Sequence, residues 1–252
     1  MRFAVKREGI VTATILMALP FVRMGVLLVL LFTVVPLARG QQPSSLDQLV
    51  GQFDREAVFW RQFEVAKAIV SAHDVNVLPK LDSWLIQEDR HLRGNAAFIF
   101  ARLGDPRGFD VIVAILNDRS ERPAAQGIPG GWWSLKGQIR ADRYYAAHLL
   151  GDLKDPCAIP ILVSLLTDPD VNYIVPWSLA QIGNGSAIQP LIGALSDPNP
   201  SIRVLAIYAL VDLKATEALP RLRQLVGDAE KSNFGELESV AHAAQAAIGK
   251  LQ

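Results

Sequence analysis

Residues 101–118 read ARLGDPRGFDVIVAILND, and the same phrase returns three times: GDLKDPCAIPILVSLLTD at 151–168, AQIGNGSAIQPLIGALSD at 180–197 and VDLKATEALPRLRQLVGD at 211–228. The closing aspartates Asp118, Asp168, Asp197 and Asp228 are 50, 29 and 31 residues apart, so the first gap is one period plus an insertion. Self-similarity at a fixed period near 30 residues is the mark of a solenoid, in which each unit buries its apolar face only by stacking on its neighbours.

Aligning the four aspartates aligns the rest of each unit. A first helix carries Arg93, Arg143, Asn172 or Arg203 near its head, Ala96, Ala146, Val175 or Ala206 in its middle, and Leu103, Leu153, Ile182 or Leu213 at its end. Small residues in the middle let neighbouring helices approach closely. A turn with Gly, Asp, Asn or Pro comes next. The second helix then carries Phe109 and Ile112, Ile159 and Leu162, Ile188 and Leu191, or Leu219 and Leu222 on its apolar stripe. Spacing of three and four is helical, not the alternation of a strand. Upstream, residues 61–89 fit a degenerate earlier unit with Leu78, Leu81 and Leu85. Ser45-Leu46-Asp47-Gln48 reads as a capping box opening a helix. At the other end Val240 to Leu251 is an alanine-rich helix. Such terminal helices cover the apolar ends of a stack.

These residues resemble HEAT-like repeats, and are most similar to the short variety first described in phycobilisome lyases. The signature is Arg at the head of the first helix, a Leu-Gly-Asp-Pro or Leu-Lys-Asp-Pro turn and a Leu-Leu-x-Asp ending. The resemblance covers roughly residues 61–251 and implies an all-α, right-handed α-solenoid of stacked helix pairs. The expected organisation is a signal peptide or membrane anchor over 1–40, a capping helix over 41–60, and the array over 61–251 with a loop insertion at 119–141. Pro176, inside the first helix of the third unit, is expected to kink it.

The chain has 252 residues, with 25 Lys+Arg against 25 Asp+Glu. Arg2, Lys6 and Arg7, then an apolar run from Gly25 to Leu37 and small residues up to Gly40, read as a secretory signal. Taken uncleaved, Ile10 to Leu37 is long enough to anchor the chain in a membrane. The location expected is therefore periplasmic or extracellular, or the inner membrane if residues 10–37 remain. Beyond residue 40 the chain carries 20 Lys+Arg and 24 Asp+Glu. That mildly acidic balance argues against nucleic acid. Cys157, the lone cysteine, forms no internal disulfide and has no base beside it. His73, His91, His148 and His242 have no metal-ligand spacing, and no nucleophile elbow, phosphate loop or dinucleotide fingerprint occurs. The sequence therefore points to no catalytic residue, no metal and no cofactor.

Four features remain to be read. The insertion holds Gln126-Gly127-Ile128-Pro129-Gly130-Gly131-Trp132-Trp133, whose two tryptophans either contact a partner or fold back onto the helices beneath. The second helices carry Val111 and Val113, Ile161 and Val163, Pro190 and Ile192, then Arg221 and Arg223. In HEAT-like stacks this face lines the concave side, which implies an apolar groove with a basic end suited to a peptide. The alternative is a wide buried stripe. Phe98, His148, Trp177 and Tyr208 form an aromatic column on the first helices, read as packing between units. Arg93, Arg143 and Arg203, with Asp89, Asp168 and Asp197 nearby, are read as structural bridges between repeats.

The function expected from these features is a non-catalytic protein-binding scaffold, exported, that holds a protein or peptide partner through Trp132, Trp133, Val113, Val163, Ile192, Arg221 and Arg223. The resemblance also implies an alternative, a bilin-lyase-like enzyme or enzyme subunit acting on a tetrapyrrole. A membrane-tethered structural element is the third.

Overall fold

The computed structural model describes residues 45–120, 135–233 and 239–252. Within them, twelve helices succeed one another: α1 Leu46–Arg55, α2 Phe59–Ser71, α3 Leu78–Leu81, α4 Arg90–Arg102, α5 Pro106–Asn117, α6 Leu135–Leu153, α7 Ile159–Ser164, α8 Val175–Ile182, α9 Ile188–Ala194, α10 Pro200–Asp212, α11 Leu219–Gln224 and α12 Val240–Leu251. Among the described residues the extended pairing amounts to one isolated bridge, Lys231 with Ser239. The chain is an all-α solenoid of stacked helix pairs.

Two layers make the stack. The first helices α2, α4, α6, α8 and α10 pack one against the next and end on α12. The second helices form the other layer, and α5, α7, α9 and α11 each lie against the first helix of the next unit. The first layer is nearly dry, with Gly94 to Phe100 of α4 and Tyr145 to Gly151 of α6 buried without interruption. Small residues make this spacing possible. A Cβ on Gly151 of α6 would sit 2.7 Å from the Ser178 Cα of α8, and one on Gly108 of α5 would sit 2.2 Å from the Ala101 nitrogen of α4. Ala96, Ala146, Val175 and Ala206 are all fully buried at the same level of the layer.

Each turn between the helices of a pair is built alike. The chain passes through the left-handed region at His73 (φ 54°), Gly104 (89°), Lys154 (57°), Gly183 (72°) and Lys214 (53°). In four of these turns the next residue accepts from the backbone N–H two residues on: Asp105 caps α5 directly, and Asp74, Asp155 and Asn184 cap the short 3-10 turns that lead into α3, α7 and α9. Each such cap stabilises a helix start by about 1 kcal/mol. Ser45 makes the reciprocal capping box with Gln48 at the head of α1.

Two sequence expectations need correction. The insertion is not a loop over its whole length, because α6 begins at Leu135 and runs 19 residues. Its polar and apolar residues from Leu135 onward continue the first-helix pattern, which extends that helix backward. Pro176 produces no kink within a longer helix. Instead α8 begins at Val175, so Pro176 falls in its first turn, where the missing N–H has no partner to lose. Residues 1–40, assigned above to a signal peptide or anchor, lie outside the described residues, as do Trp132 and Trp133. Among the described residues no helix is long and apolar enough to cross a membrane.

Candidate functional site

Arg143 and Arg203, at the heads of two of the first helices, are buried and tie neighbouring elements together. Arg143, on α6, donates from Nε to the Leu116 carbonyl at the end of α5 (2.8 Å) and from Nη2 to Asp168 (2.7 Å). Arg203, on α10, makes a similar bridge. It donates to the Asp197 carbonyl at 2.7 Å and pairs with Asp228 at 3.0 Å and with Glu230. The acid in each bridge is thus the aspartate that closes the arginine's own unit, not the one just upstream of it. In the unit before Arg143 the work is divided. Arg93 donates to the Gln87 carbonyl at 2.8 Å, while Arg90, one turn earlier, pairs with Asp118 (2.7 Å) and with buried Asp142 (3.2 Å). Asp89 caps α4 through the His91 and Leu92 N–H groups, and Asp197 accepts from the Asn199 N–H.

The second-helix residues are placed differently from one another. Val113, Val163 and Ile192 are half-buried and pack against the core. Arg221 donates to Ser196 Oγ across the unit boundary at 2.9 Å and also to Gln224, and Arg223 is exposed. Their relation to Trp132 and Trp133 lies outside the described residues.

The first-helix layer holds a cluster of ionisable groups on an aromatic floor. Phe63 of α2 meets Phe98 of α4 edge-on at 4.9 Å between centroids, and His148 of α6 stacks on Trp177 of α8 at 4.4 Å and 20°. Tyr208, next in the column, is 40% exposed. One turn beyond His148 on the same helix stands Asp152, its Oδ2 3.2 Å from His148 Nδ1. Burial pushes His148 down to about 4, with Lys67 adding to the effect. Burial pushes the Asp152 carboxyl up to about 6, against the opposing pull of Lys67, Lys154 and Arg102. At neutral pH the imidazole is therefore uncharged beside a carboxylate poised to exchange a proton. Lys67 pairs with Glu64 at 2.8 Å and lies 5.3 Å over the Phe63 ring. Arg102 donates to the Leu153 carbonyl at 3.1 Å, which sets it beside the Asp152 segment.

A titratable group shifted toward neutrality by burial, with charges from neighbouring elements around it, is the kind of group that functional sites collect. Asp152, Lys67, Arg102 and Glu64 are absent from the residues picked out in the sequence. A signal was there: Asp152 comes four residues after His148, so both share one helix face, and the same offset from Phe98, Trp177 and Tyr208 gives Arg102, Gln181 and Asp212. Among the described residues no group of His, Cys, Asp and Glu could hold a metal ion.

The model of HEAT repeats matches residues 167–234, and that of the PBS lyase HEAT-like repeat matches residues 92–118 and 142–168. This is a HEAT-like repeat protein. Curated proteins similar to the HEAT-like array include the bilin biosynthesis protein PecE of Mastigocladus laminosus, 30% identical over 141 residues, covering 55% of this chain and 48% of that protein. PecE of Nostoc sp. is 32% identical over 138 residues, covering 54% and 50%. The phycocyanobilin lyase subunit alpha of Synechococcus elongatus is 36% identical over 96 residues, covering 34% and 35%. The chain spans half or less of the length of these relatives. An engineered protein of known crystal structure superposes with a TM-score of 0.43 at 20% identity, covering 82% of this chain and 96% of that one, a likeness too loose to carry weight.

The relatives correct the function expected above. A purely non-catalytic scaffold, and with it the view that the protein is no enzyme, is overturned by similarity to a bilin biosynthesis protein and a bilin lyase subunit. The physical reason for the miss is that a composite site on a solenoid leaves no contiguous motif. Its residues sit one or two per repeat, dozens of positions apart.

Proposed function

We propose that this HEAT-like protein acts on a linear tetrapyrrole, as a bilin-lyase-like enzyme or as a subunit of one. The observation that carries the proposal is its similarity to PecE and to the lyase subunit. The ionisable cluster on the first-helix layer supports it, because proton exchange near neutral pH is what bond-making at a conjugated tetrapyrrole needs from a protein. A polypeptide acceptor for the pigment is part of the same proposal, and no nucleic acid is. Incubating the purified protein with phycocyanobilin, with and without an acceptor apoprotein, tests it. The expected results are a shift of the pigment's visible band and pigment that stays with the acceptor on a denaturing gel. An unshifted band and an uncoloured acceptor would sink the proposal.

A right-handed sense of stacking and an N-terminal segment separate from the array also belong here. For residues 1–40 we infer a leader removed near Gly40, or an anchor retained in the inner membrane. The mass of the N-terminus of the protein isolated from its own cells separates the two.

A further inference from the structure

Asp152 is placed at a thermodynamic disadvantage. Its side chain keeps 23% of its exposure, and among the described residues the partner within ion-pair distance is His148, which is neutral near pH 7. The basic side chains around it are engaged elsewhere, Lys67 with Glu64 and Arg102 with the Leu153 carbonyl. A carboxylate on a half-dry face, lacking a fixed cation, weakens the fold whenever it is ionised. Packing explains His148, which fills the space between Tyr145 and Trp177. It does not explain an acid in this position.

The surroundings of Asp152 describe a ligand. Beside it is an aromatic floor whose Phe63, Phe98 and His148 are buried and whose Trp177, half-buried over the His148 ring, still offers surface. Around the same acid are Lys67, over the Phe63 ring with 47% of its side chain exposed, and Arg102, exposed at the end of α4. These groups come from α2, α4, α6 and α8, so only the assembled stack presents them together. A flat conjugated face suits the exposed part of Trp177. Anionic side groups suit Lys67 and Arg102. N–H groups near the ligand's centre suit a carboxylate that has no cation of its own. A linear tetrapyrrole has all three.

We propose that Asp152 is the ligand-binding residue that accepts hydrogen bonds from the pyrrole N–H groups of a linear tetrapyrrole, while Lys67 and Arg102 receive its carboxylates. The inference rests on the tetrapyrrole proposal above and adds the residues and the polarity of binding. The charged and titratable groups that face Asp152 are Glu64 and Lys67 from α2, Arg102 from α4, Tyr145 and His148 from its own helix and Lys154 from the turn after it. Binding that needs the carboxylate is strong above about pH 6 and fades below it.

The test is a titration of the full chain with biliverdin, read by visible absorbance and induced circular dichroism at about pH 8 and about pH 5. Asp152→Asn is expected to weaken binding about tenfold at the higher pH, the equivalent of one lost charge-assisted hydrogen bond. It should also abolish the pH dependence without lowering the melting temperature. Lys67→Gln with Arg102→Gln changes exposed side chains only. It should weaken binding and move the midpoint to higher pH, because both cations hold the Asp152 carboxyl down in the wild type. Wild-type affinity and an unchanged pH profile in Asp152→Asn would overturn the assignment of Asp152 and leave the tetrapyrrole proposal standing. No spectral change with the wild-type protein would overturn both.

Discussion

Arg143 and Asp168 form the joint on which neighbouring repeats turn: a guanidinium with 1% of its side chain exposed, 2.7 Å from a carboxylate at 14%. The same guanidinium reaches back to the Leu116 carbonyl, so one side chain closes the preceding helix and grips the end of its own unit. Removing the acid strands a buried cation, which costs about 3 to 5 kcal/mol where no other partner steps in. Asp170, 3.5 Å away, softens the loss. Asp168→Ala is therefore expected to lower stability by about 3 kcal/mol in chemical denaturation. Arg119→Ala, which removes an arginine 61% exposed from the same carboxylate, should change stability by less than about 1 kcal/mol.

The same joint predicts acid sensitivity. Burial alone would raise the Asp168 carboxyl, but hydrogen bonds from Arg143, the Asp170 N–H and Arg119 hold it below 3.8. A depressed carboxyl contributes stability that is complete above its unfolded value and is lost as pH falls through the folded one. Wild type should therefore lose stability below about pH 4, and Asp168→Asn should lose less over that interval. Equal losses in the two proteins would contradict the assignment.

Asp152 behaves in the opposite sense. Its carboxyl is raised to about 6 from 3.8, so the folded state favours the protonated form. The associated stability is full below about pH 4 and is lost as pH rises through about 6. Asp152→Asn is expected to raise the melting temperature at about pH 8, by an amount worth roughly 1 to 3 kcal/mol, and to leave it unchanged near pH 4. Thermal denaturation at several pH values checks this directly.

Helix approach is limited at two glycines. The Cβ of Gly108→Ala would collide with the Ala101 nitrogen and the Ala97 carbonyl oxygen, both at 2.2 Å, and that of Gly151→Ala with the Ser178 Cα at 2.7 Å. Backbone cannot move aside as a flexible side chain can. Each substitution should destabilise the protein by about 1 to 3 kcal/mol, Gly108→Ala the more, as measured by urea unfolding. Gly193→Ala, with nothing near its Cβ, is the control.

Lys154 and Lys214 stand where the equivalent turns have Gly104 and Gly183, all with positive φ. A side chain in the left-handed region costs about 1 to 2 kcal/mol, part of which glycine gives back through its freer unfolded chain. Lys154→Gly and Lys214→Gly should each stabilise by about 0.5 kcal/mol. A fall in melting temperature would show that the lysine stems pack usefully on the turn.

Much of this architecture can be read in the repeats. The closing aspartates mark the units, the alanine column marks the dry layer, and the turn column pairs Gly104 with Lys154, which shares its backbone conformation. Reading by column is incomplete where two residues one turn apart can do the same job. Arg93 has the column position, and Arg90 pairs with Asp118 as well, both guanidiniums favouring the ionised carboxyl, because a guanidinium is long enough to answer from either turn. The expected kink at Pro176 fails for a related reason. Helix starts shift by a turn under tertiary packing, and a proline at a start is harmless.

By itself the sequence determined the period, the helix pairs, the turn chemistry and the family, since each depends on residues within one repeat or on its exact recurrence. Only the tertiary structure decided which charges meet and how they titrate. Asp152 owes its raised carboxyl to burial, which outweighs the opposing pull of Lys67, Lys154 and Arg102. Lys67 and Arg102 arrive from two other helices, and desolvation is a property of the stack that no single repeat possesses.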